Sequence, residues 1–280
     1  MPQLSWWIRM GETVPTDGRV RGMAAGGVLD PRPVVRVERQ RDGGVDERAE
    51  PVSAGAGRWP YSIPAVAQLL REGLELDDLT VLVGENGAGK STIVEAVAMA
   101  YGLGAEGGSV NGRDVTWESE SPLHDSLRLV RGGGAPKWGY FLRAETMHGM
   151  FTYLQTAQKE QTSGPVEHFH TRSHGEAFWD IVTTSRFSGG GLFVLDEPEA
   201  GLSFDAQLRL VALLLELADR RGAQVLMATH SPILASVPGA AVYELSDAGM
   251  HRTRWEDLAM VDHHRRYLDA PERYLRHLLE

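Results

Sequence analysis

The 280-residue chain contains no cysteine. That excludes disulfides and thiolate-held metal centres. It has no apolar stretch long enough to cross a bilayer, and Trp6-Trp7-Ile8 is too short for the core of a secretory leader. It has no heptad repeat and no repeat at solenoid periods, so neither a coiled-coil arm nor a solenoid is expected. It lacks an excess of positive charge: 28 Lys and Arg stand against 38 Asp and Glu, for a net charge of −10. Such a chain is not built throughout for nucleic acid, although a local basic patch is compatible with it. The missing thiols and spans fit a reducing cytoplasm, which is the expected location. What the chain does have is 42% hydrophobic residues, enough to bury a proper core.

Residues 1–33 are rich in Gly, Pro, Arg and Asp without a sustained period. They are expected to be a disordered extension. The domain is expected over 34–280, beginning with a strand at Val34 to Arg39. A short helix is expected at Ala65 to Arg71. Ser126 to Val130 and Trp138 to Leu142 read as two strands joined across Gly132-Gly133-Gly134. Residues 146–172 are polar and mixed, and read as a small irregular or helical insert. Beyond them come a helix over Glu176 to Phe187, a buried strand at Gly191 to Leu195 and a leucine-rich helix over Asp205 to Arg221. A second buried strand follows at Gln224 to Ala228, then a hairpin at Ala241 to Arg254 and two helical pieces divided by Pro271. Strands alternating with helices imply an α/β fold with a mainly parallel core sheet.

One segment carries the chemistry. Gly84-Glu85-Asn86-Gly87-Ala88-Gly89-Lys90-Ser91-Thr92 matches the phosphate-loop pattern G-x-x-x-x-G-K-[ST], the Walker A motif, at every fixed position. The apolar strand Leu79 to Val83 precedes it and a helical pattern from Ile93 follows. Glycines let the backbone curl so that its N–H groups face phosphate oxygens. The helix then presents its positive end to the same anion. Lys90 is expected on the β- and γ-phosphates of ATP, and the Ser91 hydroxyl on Mg²⁺. Downstream, Leu192 to Leu195 runs into Asp196-Glu197-Pro198, an apolar strand ending in two carboxylates, the Walker B arrangement. At the carboxyl end of a parallel strand they face the ligand crevice. Asp196 is placed to hold Mg²⁺ and Glu197 to polarise the attacking water. Glu197 can join Asp196 in the site only if the strand turns there, since successive strand side chains face opposite sides.

With Ala228-Thr229-His230-Ser231-Pro232 after the next strand, this set of motifs resembles the ABC-type ATPases. The resemblance implies a γ-phosphate contact for His230. It also makes Ser173-His174-Gly175-Glu176 the counterpart of the family signature, with Ser173 and Gly175 binding a nucleotide held by a second subunit. Ser173 and Glu176 also form a capping box in their own right. Phe141-Leu142-Arg143-Ala144-Glu145 stands where the family senses Mg²⁺ and water. There Glu145 is either a metal-side contact or a surface carboxylate. Trp59 or Tyr61 either stacks on adenine or anchors the core. Ser203 stands where transporter-type members carry Asp. The run D-E-P-E-A-x-L-S, with S-H-G-E and A-T-H-S-P-I-L, resembles stand-alone bacterial ATPases labelled AAA-family. These are ABC-like in their core and closer to the SMC/RecF branch than to transporters.

The resemblance implies a P-loop fold of ABC type, with an antiparallel β subdomain beside the parallel sheet. It further implies ATP and Mg²⁺ as cofactors and a homodimer closed by ATP. The expected activity is soluble ATP hydrolysis, linked to nucleic acid or to a repair or defence partner. The alternatives are the nucleotide-binding subunit of a transporter and an ATP-gated interaction module with little turnover.

Overall fold

A computed structural model describes residues 29–40, 58–109, 121–143, 178–179, 181–183 and 185–279. Its elements run β1 (Arg36–Arg39), α1 (Pro64–Glu72), β2 (Leu74–Glu75), β3 (Leu79–Gly84), α2 (Lys90–Tyr101), β4 (Gly108–Ser109), β5 (Leu127–Val130), β6 (Gly139–Arg143), β7 (Gly191–Asp196), α3 (Phe204–Asp219), β8 (Ala223–Ala228), β9 (Ala241–Ser246), β10 (Gly249–Thr253), α4 (Ala259–Asp269) and α5 (Pro271–Leu279). Seven strands form one sheet in the order β10-β9-β3-β8-β7-β6-β4. The five inner strands are parallel, and β10 and β4 close the edges antiparallel. A second, three-stranded antiparallel sheet has the order β2-β1-β5. The expected parallel core with an antiparallel β subdomain is therefore present.

Strands β7 and β8 are buried along their whole length, and β3 up to Gly84. This follows from their unbroken apolar runs, which suit strands covered on both faces. One face packs under α3 and α4, with Leu210, Leu214, Leu217 and Val261 against Val225, Phe193 and Met227. The other face carries α2, whose Ile93, Val94, Val97 and Ala98 are fully buried. Helix α2 lies between the core sheet and the small sheet, touching Leu82 and Leu226 on one side and Leu123 and Leu127 on the other. A helix apolar nearly all round belongs in such a sandwich. Each of its large side chains contributes roughly 1.5–3 kcal/mol by burial.

Both strands expected around Gly132 to Gly134 are present, and the structure gives their partners. Leu127–Val130 and Gly139–Arg143 do not pair with each other. Strand β5 pairs with β1 in the small sheet and β6 pairs with β7 in the core sheet. The glycine-rich connection is a crossing between sheets, where Gly132 packs against the backbone of Asp30 and Arg32. The described chain also starts earlier than Val34: Arg32 Nη1 donates to Leu76 O at 2.6 Å, and Arg32 is ion-paired with Asp30. Gln224, fully buried at the start of β8, clamps the same segment. Its Oε1 accepts from Val34 N at 2.8 Å, and its Nε2 donates to Val34 O at 2.6 Å. Residues 1–28 and 146–172, where an extension and an insert are expected, lie outside the described residues. Among the described residues, no helix is long and apolar enough to cross a membrane.

Candidate nucleotide site

Three loops meet at the carboxyl edge of the parallel sheet: those after β3, β7 and β8. Sheet order makes them neighbours, since β8 lies between β3 and β7. Register levels them, because Ala228 is opposite both Leu82 and Asp196. Thr229 N donates to Leu82 O at 3.0 Å and Glu197 N to Ala228 O at 2.9 Å, carrying the ladder into the loops.

The loop after β3 wraps the start of α2. Gly89 has φ 95°, and a Cβ there would meet Ile63 Cγ2 at 2.8 Å, so only glycine fits. Gly87 has φ 82° with nothing within 4 Å of the Cβ position, so the loop is open to solvent there. No side chain caps α2. Its first N–H groups therefore await an acceptor, which an anion supplies. Lys90 is buried at 4% exposure, and its Nζ donates to Gly84 O and Glu85 O, each at 2.9 Å. Burial pushes its pKa below the ordinary lysine range, and the nearby carboxylates of Glu197, Asp196 and Glu199 oppose that shift. The loop, the acidic pair and Glu199 thus share one electrostatic neighbourhood. Glu85, Asn86 and Gly87 are exposed at the tip, and Ser91 and Thr92 are half-buried on the first turn of α2.

Asp196 ends β7 at 4% exposure. The next residue turns: among the described residues, Glu197 alone of the non-glycines has a left-handed backbone, with φ 50°. Such strain is tolerated where the surroundings over-determine it. Here the turn brings Glu197 Oε1 to 3.3 Å from His230 Nε2, with the two side chains 41% and 33% exposed. The strand end and turn expected at Glu197 are therefore observed. His230 is itself held from behind, its backbone N donating to Glu199 Oε1 at 2.5 Å. Ser231 Oγ donates to Gln207 Oε1 on α3 and accepts from Ile233 N, which pins the rest of that loop.

Ser203 acts locally, its Oγ accepting from Ala206 N to cap α3. Tyr61 is an anchor, its hydroxyl 3.1 Å from Ser126 Oγ, whereas Trp59 is 55% exposed. Glu145, Ser173 and Gly175 lie outside the described residues. Three further residues of the site carry no role of their own in the sequence reading. Glu199 stands in the D-E-P-E run, where the motif alone gives it no partner. Arg143 and Glu95 form an ion pair at 2.7 Å beside Asp196. Their partners are too distant in the chain for any local pattern to reveal.

Comparison with known proteins agrees with the geometry. Residues 72–135 match a family described as "AAA domain". Residues 181–236 match one described as "AAA domain, putative AbiEii toxin, Type IV TA system". The first match holds the phosphate loop, the second the acidic pair and His230. In these two segments the chain is similar to AAA-type ATPase domains, and over longer stretches to ABC-type ATP-binding proteins. The zinc import ATP-binding protein ZnuC of Vibrio cholerae is 28% identical over 165 residues, 58% of this chain and 60% of that protein. An uncharacterized ABC transporter ATP-binding protein of Haemophilus influenzae is 22% identical over 248 residues, 78% of this chain and 89% of that protein. The DNA repair and recombination protein RadA of Halobacterium salinarum is 38% identical over 78 residues, 27% of this chain and 23% of that protein. The chain thus spans about 60% of the length of the ZnuC protein it matches.

The site suits a nucleotide with Mg²⁺. Ser91 and Asp196 offer hard oxygens. That suits Mg²⁺, which keeps waters and takes the remaining ligands from substrate phosphates.

Proposed function

We propose that the protein binds ATP and hydrolyses it to ADP and phosphate. The observation that carries this reading is the Glu197–His230 pair, turned by a left-handed backbone into the neighbourhood of buried Lys90. The N–H groups of Gly87, Ala88, Gly89 and Lys90 and the start of α2 cradle the phosphates. The Lys90 ammonium turns from the loop carbonyls toward the β- and γ-oxygens. Glu197 takes a proton from the attacking water as its oxygen bonds to the γ-phosphorus and the bond to the β-phosphate oxygen breaks. His230 donates to a γ-oxygen while Glu199 holds its backbone. Ser91 and Asp196 would hold Mg²⁺, which supplies charge neutralisation on the phosphates.

The resemblance extends the reading to a symmetric dimer. Ser173 and Gly175 of one subunit complete the nucleotide site of the other, ATP closes the pair and hydrolysis reopens it. Glu145 is assigned to the metal side of the same site. The protein is assigned to the cytoplasm, with a nucleic acid or a repair or defence protein as partner. The similarity to RadA favours the nucleic acid, and DNA-stimulated turnover tests it. The similarity to ZnuC favours a transporter subunit instead, which predicts co-purification with a membrane protein.

ATP turnover and sizing in ATP, with wild type and Glu197→Gln, test the core of the proposal. Loss of the base should lower kcat by about 10²–10⁴-fold and leave an ATP-trapped dimer. Undiminished turnover refutes the base. A monomer at every ATP concentration refutes the composite site.

A further inference from the structure

We infer that Arg143 is a positioning residue that aims the Asp196 carboxylate and so sets how strongly the site takes a divalent cation. This rests on the Mg²⁺ role assigned to Asp196 above. Arg143 ends β6 in register with Asp196 on β7. Its Nη1 donates to Glu95 Oε2 at 2.7 Å, and its Nε lies 3.6 Å from Asp196 Oδ2. All three side chains are poorly exposed: 21% for Arg143, 11% for Glu95 and 5% for Asp196.

Glu95 lies on α2 four residues after Ser91, on the same face of the helix. One guanidinium therefore ties the helix that starts in the phosphate loop to the strand that ends in the acidic pair. The donor set attributed to Mg²⁺, Ser91 and Asp196, belongs to those same two elements. Geometry alone makes Arg143 a brace between them.

Charge makes the brace specific. Glu95 and Asp196 are two carboxylates with little water around them, and the guanidinium between them offsets their repulsion. At 3.6 Å the contact with Asp196 is an ion pair rather than a hydrogen bond. It steers the carboxylate without occupying it as a hydrogen-bond acceptor. With the guanidinium removed, the two carboxylates lose the cation between them and the Asp196 carboxylate shifts away from Glu95. Outer partners that orient a metal ligand commonly change metal affinity by about 10–100-fold.

Binding of a non-hydrolysable ATP analogue, with Mg²⁺ and with EDTA, tests the inference without relying on turnover. Direct Mn²⁺ binding by electron paramagnetic resonance gives a second measure. In Arg143→Gln the affinity in EDTA should stay within about twofold of wild type, because the phosphate loop is untouched. The enhancement by Mg²⁺ should fall about tenfold or more. Arg143→Lys, which keeps the charge but not the planar fork, should recover part of it. If Arg143→Gln does not fold, Glu95→Gln carries the test. There the guanidinium, released from its anchor, closes on Asp196 and competes with the cation, so the enhancement falls again. A wild-type enhancement preserved in the folded variant refutes the role of Arg143. A wild type without any enhancement refutes the magnesium reading of the site itself.

Discussion

Glu197→Gly and Glu197→Ala, compared with each other, isolate the backbone strain stored at the acidic pair. Both substitutions remove the carboxylate and its 3.3 Å contact with His230, so that loss cancels in the difference. The conformation is pinned from both sides, by Glu197 N donating to Ala228 O at 2.9 Å and Ala200 N donating to Glu197 O at 3.1 Å. Alanine must therefore keep φ near 50°, where a Cβ costs about 1–2 kcal/mol. Glycine escapes that cost but gives up roughly 0.5–1 kcal/mol through the greater freedom of its unfolded chain. The balance places Glu197→Gly about 0.5–1 kcal/mol above Glu197→Ala in stability. At an ordinary negative φ the order is the reverse, so the sign alone decides. Urea unfolding without nucleotide, followed by circular dichroism, reads the difference in midpoint. Both variants should also lack turnover. An alanine variant more stable than the glycine variant refutes the strained turn, and with it the account of how Glu197 reaches His230.

Two further outcomes can be checked. Gln224→Leu strips partners from the buried N–H and C=O of Val34, which should destabilise the fold by about 2–4 kcal/mol; a change below about 0.5 kcal/mol in denaturant unfolding would show that Val34 is not clamped there. ATP affinity should fall as pH rises through the alkaline range. Burial lowers the pKa of Lys90 in the free protein and phosphate raises it in the complex, so binding is strongest below the free-state pKa and weakens from there toward the bound-state value. A flat profile by calorimetry refutes Lys90 as the phosphate ligand.

The phosphate loop is readable because its physics is local. Glycines, lysine and the new helix lie within nine consecutive residues, Gly84 to Thr92, and the flanking strand and helix carry their own periodicity. The buried strands at Gly191–Asp196 and Ala223–Ala228 are readable for the same reason. The pairing of Leu127–Val130 is not, because a strand pattern says that a strand exists and not which distant strand it joins. Its partner, β1, stands on the other side of the phosphate loop in the chain. The capping role of Ser203 is also hidden, since the resemblance to transporters draws attention to the Asp that Ser203 replaces.

The sequence by itself determined that this chain carries a phosphate loop, an acidic strand end and a histidine after the following strand, within an α/β domain. Each is a short run that its own residue types and spacing make recognisable. Only the tertiary structure decided what those runs do to one another. It levelled Asp196, Ala228 and Leu82 across three strands and rotated Glu197 onto His230. It also set Arg143 between two carboxylates from different elements. Such contacts depend on strand order and register, which are selected by burial over the whole sheet rather than by any neighbouring residue.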